Sequence, residues 1–192
     1  MDENSLSRGL AADLDGHFEQ LVRIYQDRLY GFALRLTGSR QDAEESTQDA
    51  FVRAYRALVR YPTERRRELR LRPWLYQIAL NVVRNRVRRA ALPLVPIDDA
   101  AAGNGLASHP DEEPETVAVH TERARDLANA LGDLPQRYKT AVVLRHVQGL
   151  SYAEAAEILD QPIGTTKSDV HRGLRLLREK LEAELLVEAR NP

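Results

Sequence analysis

From Leu14 onward, apolar residues recur in steps of three and four: Leu14, Phe18, Leu21, Val22, Tyr25, Leu29, Phe32, Ala33 and Leu36. That spacing lines one face of an α-helix. Thr37-Gly38 closes the stripe, because glycine takes the left-handed C′ backbone without a Cβ penalty. Ser39, with Asp42 three residues on, starts a second helix. Its buried face is predicted from Ala43, Ala50, Phe51, Ala54, Tyr55 and Leu58, and Pro62 stops it. A third helix opens at Pro73, a good first-turn residue. It turns Trp74, Leu75, Ile78, Ala79, Val82, Val83 and Val87 inward. Residues 1–13 carry no comparable stripe and read as frayed.

Periodicity then vanishes. Residues 91–118 hold four prolines, two glycines and six acids, with no Lys or Arg. Such a composition cannot bury a core and reads as an extended linker. A helical pattern returns near 119–131, with Val119, Leu127, Ala130 and Leu131 as its apolar contacts. Pro135 begins another helix, with Ala141, Val142, Leu144 and Val147 inward and Gly149 as its stop. Ser151 and Glu154 form a capping box for the next, whose inner face is Tyr152, Ala155, Ala156, Ile158 and Leu159. Asp160 to Gly164 is a turn, and a last helix runs from about 166 to 187. No strand pattern occurs. The predicted fold is all-α: two small helical domains, 14–90 and 119–187, joined by a flexible acidic linker.

Composition narrows the chemistry. The 192 residues carry a net charge of −1, 30% charged residues and no cysteine. Disulfides and thiol nucleophiles are therefore excluded, and the absence of thiols fits a reducing cytoplasm. The first residues lack the basic start and apolar run of a signal peptide, and no window approaches the length of a membrane span. The five histidines have no paired ligand spacing, so no metal is expected. No phosphate loop or nucleophile elbow is present, so neither cofactor nor enzymatic activity is expected.

The balanced total hides segregation. Residues 60–90 hold ten Arg against Glu64 and Glu68, a local charge of +8, while the linker carries −6. A cationic block suits a polyanion, since each neutralised phosphate releases a counterion. The same block can also be a solvated face. Trp74 and Tyr76 beside these cations suit stacking on unpaired bases, and Asn81 offers a donor and an acceptor to a base edge. Trp74 equally fits a core position. The acids Asp42, Glu44, Glu45 and Asp49, with Gln48, favour a helix start and could also dock a basic partner.

Residues 149–181, GLSYAEAAEILDQPIGTTKSDVHRGLRLLREKL, read as two helices around a tight turn, the second one basic. That is the form of a helix-turn-helix, whose second helix reads duplex DNA through its N-terminal residues. Lys167, Ser168, His171 and Arg172 fall there, and Gly164, Thr165 and Thr166 can present N–H groups and hydroxyls to phosphate.

Taken together, the chain resembles the extracytoplasmic-function (group IV) sigma factors of bacterial RNA polymerase, within the sigma-70 family. DAEESTQDAFVRAYRAL (42–58) is similar to the family's polymerase-binding helix. WLYQIALNVVRNRVRR (74–89) is similar to its promoter-melting helix, and 134–181 to its −35-reading domain. The resemblance implies that Asp42, Glu44, Glu45, Gln48, Asp49 and Arg53 meet core RNA polymerase, built on its beta and beta-prime subunits. It implies that Arg72, Trp74, Gln77, Asn81, Arg84, Asn85 and Arg88 take the −10 element, and that Thr165, Thr166, Lys167, Ser168, His171, Arg172 and Arg175 take the −35 element. Promoter DNA, core polymerase and an anti-sigma factor are the implied partners, with no stable homo-oligomer. The implied location is the cytoplasm, or the membrane when an anti-sigma factor holds the protein there. The family's amino-terminal inhibitory region and middle domain are expected to be absent.

Two stretches depart from the family pattern. Residues 61–73, YPTERRRELRLRP, are richer in Arg than the loop usual before the tryptophan, which often chooses the flipped base. Asp169 stands where the family commonly has Arg, and Leu174 also replaces a common Arg. Asp169 either caps the helix or accepts from cytosine N4. A stand-alone helix-turn-helix regulator remains the alternative reading of the whole chain.

Overall fold

The computed structural model describes residues 3–90 and 126–188. The linker 91–118 and the start of the helix expected near 119 lie outside the described residues. The helices are α1 (Glu3–Ala12), α2 (Leu14–Thr37), α3 (Arg40–Arg60), α4 (Thr63–Glu68), α5 (Leu71–Ala90), α6 (126–132), α7 (Gln136–Val142), α8 (Tyr152–Leu159) and α9 (Ile163–Glu188). No strand occurs among the described residues. The all-α, two-domain expectation holds.

Local signals set most boundaries. Gly38 at φ 72° ends α2 and donates its N–H to the Leu34 carbonyl at 2.8 Å. The Ser39 hydroxyl accepts from the Asp42 N–H at 3.2 Å and starts α3. α2, α3 and α5 bury Leu21, Leu29, Phe32, Ala50, Leu58, Leu75 and Leu80 between them. Tyr55, expected inward, is 36% exposed. Its ring packs edge-on against Phe18 and its hydroxyl donates to Asp15 at 2.8 Å, so the polar tip drew it to the rim.

The amino-terminal expectation is corrected. Residues 3–12 form a packed helix with Leu6, Leu10 and Ala11 buried. A helix this short is marginal alone, and tertiary burial of one face stabilises it. Its partner, α4, was also not expected. The Arg-rich stretch makes one helical run after Pro62, then an extended Leu69 leads to α5. α5 begins at Leu71, two residues before Pro73.

In the second domain α7 widens into a π-helical turn, Val143–Val147, where the Gln148 N–H reaches the Val143 carbonyl at 2.9 Å. The widened turn rotates Val147 off the inner face, and it is 40% exposed rather than buried. Gly149, at φ 66°, ends the run. Ser151 and Glu154 form the capping box in both directions. α9 starts at Ile163, three residues earlier than expected. The apolar core is continuous between the domains: Leu144, Leu150, Ile158 and Val170 join the cluster that holds Phe32 and Leu80.

Candidate nucleic-acid interface

The first turns of α9 stand clear of the protein. Lys167, Ser168, His171, Arg172 and Arg175 are exposed, while Val170 and Gly173 face inward. Gly173 is required there, since a Cβ would lie 2.5 Å from Val142 Cγ2 on α7. A shallow cleft of about 400 Å³ is walled by Tyr152, Lys167, Ser168, His171 and Arg172. The Tyr152 ring lies between two cations, Arg145 at 4.9 Å and Lys167 at 5.8 Å. The ring's π-electrons attract both cations, and Lys167 is one of the cleft's own walls.

Two α9 residues depart from expectation. Thr166 is wholly buried, its hydroxyl shared between the Pro162 carbonyl at 3.2 Å and Gln161 Nε2 at 3.1 Å. It therefore presents nothing to a ligand, whereas Thr165 is half-buried. Asp169 is 1% exposed. It neither caps the helix nor faces outward. Oδ2 accepts from Arg137 Nε at 2.8 Å and from Gln161 Nε2 at 3.1 Å, tying α7, the turn and α9 together. The carboxylate in turn raises the pKa of Arg137 by hydrogen bonding and by its charge.

On α5, Trp74, Gln77, Asn81, Arg84, Asn85 and Arg88 fall at steps of three and four and share one face. Asn81, Arg84 and Arg88 are exposed; Trp74, Gln77 and Asn85 are half-buried. Trp74 meets Tyr61 at 6.2 Å between ring centres, and Arg65 lies 3.9 Å over that tyrosine. An open cleft of about 490 Å³ runs between α4 and this face, lined by Arg65, Leu69, Arg70, Trp74 and Gln77, with Glu157 of α8 on its rim. Arg72 is not on this face. Its guanidinium donates to the Gln148 carbonyl, and its backbone N–H to Glu3 Oε1 at 2.7 Å.

The second domain meets the start of α5 directly. The Tyr76 hydroxyl donates to Gln148 Oε1 at 2.6 Å, and Arg70 pairs with Glu157 at 2.7 Å. Tyr76 is fully buried and edge-on to Phe32 at 5.2 Å. Burial pushes its phenol up to about 12.

On α3 the acids divide. Asp42 and Glu45 both accept from Arg86 Nη1, at 3.1 and 2.6 Å, which lowers the Glu45 pKa. Glu44, Gln48, Asp49 and Arg53 are exposed without that tie. The structure adds Val52 and Val59, 47% and 57% exposed, in the stripe with Gln48. Reading charge alone missed them. The signal was their position on the wheel, opposite Ala43, Ala50 and Ala54.

Among the described residues no group of three or more His, Asp or Glu is placed to hold a metal, and no helix is long and apolar enough to cross a membrane.

The sigma-70 region 2 family matches residues 21–92 and the sigma-70 region 4 family residues 124–177. The fold is thus that of a sigma-70 protein with those two regions. The chain is 34% identical over 170 residues to the ECF RNA polymerase sigma factor SigW of Bacillus subtilis, covering 85% of this chain and 88% of SigW. It is 31% identical over 172 residues to the ECF RNA polymerase sigma-E factor of Escherichia coli, covering 86% of each. The chain belongs to the ECF RNA polymerase sigma factors. Its fold is similar to CnrH in complex with the cytosolic domain of CnrY, with a TM-score of 0.67, 24% identity and coverage of 94% of this chain and 97% of that one. It is also similar to the sigma factor RpoE in complex with the anti-sigma factor NepR from Bartonella quintana, with a TM-score of 0.66, 24% identity and coverage of 86% and 96%.

Proposed function

We propose that this sigma factor directs initiation by a division of labour between its domains. Residues 14–90 bind core polymerase and hold the melted −10 strand; residues 119–187 hold the −35 element as duplex; 91–118 is the tether. One observation carries the reading. The α5 face pairs an aromatic ring and amides with cations beside an open cleft, as unpaired bases require. α9 instead offers an unobstructed helix start, as the major groove requires. In this scheme Trp74, Gln77, Asn81, Arg84, Asn85 and Arg88 contact the −10 strand. Thr165, Lys167, Ser168, His171, Arg172 and Arg175 contact the −35 duplex.

The two promoter elements lie about 85 Å apart at 3.4 Å per base pair. Domains that share one apolar core cannot reach both, so the joint at Tyr76–Gln148 and Arg70–Glu157 opens on the promoter. Glu44, Gln48, Asp49 and Arg53, with Val52 and Val59 beside them, dock on polymerase: an apolar centre within a charged rim is the usual anatomy of such a contact. Asp42 and Glu45 reach it only by sharing with Arg86. An anti-sigma factor covering these surfaces, and the cytoplasm or its membrane face as the location, complete the proposal.

Initiation by core polymerase on a promoter library, with mapped start sites, tests the reading. Specific starts that depend on both elements are expected. A chain that never co-elutes with core polymerase in gel filtration, yet binds closed duplex tightly, would establish a stand-alone regulator instead.

A further inference from the structure

The matched region 2 begins at residue 21, so α1 lies outside it. Yet α1 grips the segment that walls the α5 cleft at three successive points. The Ser7 hydroxyl donates to the Leu69 carbonyl at 3.0 Å. Arg66 Nη1 donates to the Leu10 carbonyl at 3.1 Å. Glu3 Oε1 accepts from the Arg72 N–H at 2.7 Å.

The third contact solves a local problem. A helix start leaves backbone N–H groups without intrahelical partners. Pro73 has no N–H, and Glu3, from another helix, supplies the acceptor for the Arg72 N–H. A carboxylate there also suits the positive end of the helix dipole. Leu6 and Leu10, buried at 2% and 0% exposure, fix α1 while its polar groups hold residues 66, 69 and 72. The cleft is lined from the other side of the same strip by Arg65, Leu69, Arg70 and Trp74. An Arg-rich strip repels itself, and only two residues, Leu69 and Arg70, join α4 to α5. Its shape must therefore come from outside.

We propose that α1 is a clamp that positions the 65–74 wall, and so sets which −10 bases this sigma factor accepts. Glu3 and Ser7 are positioning residues that act through Leu69, Arg72 and Trp74 without touching DNA. The inference rests on the proposal that α5 takes the melted −10 strand.

The test uses the full chain with core polymerase on templates carrying one −35 element and every single-base change across the −10 element. Glu3→Ala should lower promoter opening about tenfold, the scale of one lost hydrogen bond to a charged group, and Ser7→Ala, which loses a neutral one, about threefold. They should also reorder the preferred −10 bases. Glu3→Gln keeps an acceptor without charge and should fall between. Core-polymerase binding and −35 duplex binding should stay near wild type in Ser7→Ala, with Tm lowered only by the few degrees that one hydrogen bond accounts for. Unchanged base order in all three variants would overturn the clamp. So would a loss of opening that only tracks lost polymerase binding and lower Tm, which would make α1 a stabiliser of the fold. A wild-type chain that starts no specific transcript would overturn the initiation reading itself, and the clamp with it.

Discussion

The two helices proposed to face DNA are built on opposite plans. α9 reads as a finished tool: its outward residues are exposed, and its inward Thr166 hydroxyl and Asp169 Oδ2 are hydrogen-bonded within their own domain. α5 is held from outside. α1 fixes its start, α8 sits on the rim of its cleft, and Arg72 and Tyr76 are spent on the joint with Gln148. A duplex reader meets a ligand of fixed shape, so a preformed surface suffices. A reader of melted strand must act only once the strand is unpaired, and on the proposed assignment contacts that cover or shape the α5 face would supply that condition.

Alkaline titration should separate the two domains most strongly. Burial pushes the Tyr25 and Tyr76 phenols up to about 12, with Glu3 adding to the effect on Tyr25. In the unfolded chain a tyrosine titrates near 10. Between those values the unfolded chain has lost protons that the folded chain keeps, so stability falls as pH rises. The loss is at most about 1.4 kcal/mol per pH unit for each ring. In the second domain burial lowers the pKa of Lys139, whose ammonium donates to the Gly132 carbonyl at 2.6 Å. There the unfolded chain binds the extra proton, and stability rises with pH below the normal lysine value. Trp74 is the single tryptophan, so its fluorescence reports the first domain. Its urea midpoint should drop between pH 10 and 11.5 before the helical signal of the whole chain does. A flat Trp74 midpoint would contradict the burial of the two phenols.

On the open side of the comparison, Arg172→Ala should cost about 1–3 kcal/mol of base discrimination at the −35 element. Fluorescence anisotropy with single-base variants of a −35 duplex measures it. A uniform loss at every base would assign Arg172 to phosphate instead. The −10 base order should not change, since the two helices are proposed to act on different elements.

At the joint, Tyr76→Phe removes only the hydroxyl that binds Gln148 and keeps the ring against Phe32. Loss of that hydrogen bond should lower stability by about 0.5–1.5 kcal/mol. The same change should strengthen binding of a single-stranded −10 oligonucleotide to the free protein, because the second domain releases the α5 face more readily. Weaker binding would show that docking presents the face rather than covering it.

What the sequence showed and hid follows from the range of each interaction. The stripes of α2, α3 and α5, the Gly38 stop, and the Ser39 and Ser151 caps depend on neighbours within four residues, and each was legible. The residues from Trp74 to Arg88 came from the family resemblance, and their shared face appears in the structure. α1 was not: Leu6 and Leu10 make a short stripe, and the surface that stabilises it lies some sixty residues away at Arg66 and Leu69. Arg72 was assigned to DNA by the family resemblance, but its partner is a carbonyl 76 residues on. The Val147 reading failed because a π-turn shifts helical register without a signature in the residue pattern.

The smallest expected effect is the most discriminating about α9. At the sequence level Asp169 could read cytosine, and a carboxylate that reads a base should be irreplaceable. In the structure its Oδ2 serves Arg137 and Gln161, and its Oδ1 is buried without a partner. Asp169→Asn keeps the shape, keeps an oxygen for both donors, and adds an amide where Oδ1 now stands alone. It removes a buried charge at the same time. Stability should therefore change little, because the weakened pair with Arg137 is offset by a smaller desolvation cost. The order of preferred −35 bases should be that of the wild-type chain, since no outward atom has changed. Selection from a randomised −35 duplex pool, run in parallel for the two proteins, compares them directly. A shift at one position away from C·G would place the carboxylate on a base edge and would mean that α9 rotates on binding. Identical profiles would leave specificity with Lys167, Ser168, His171 and Arg172, and Asp169 as the pin that holds their helix against α7.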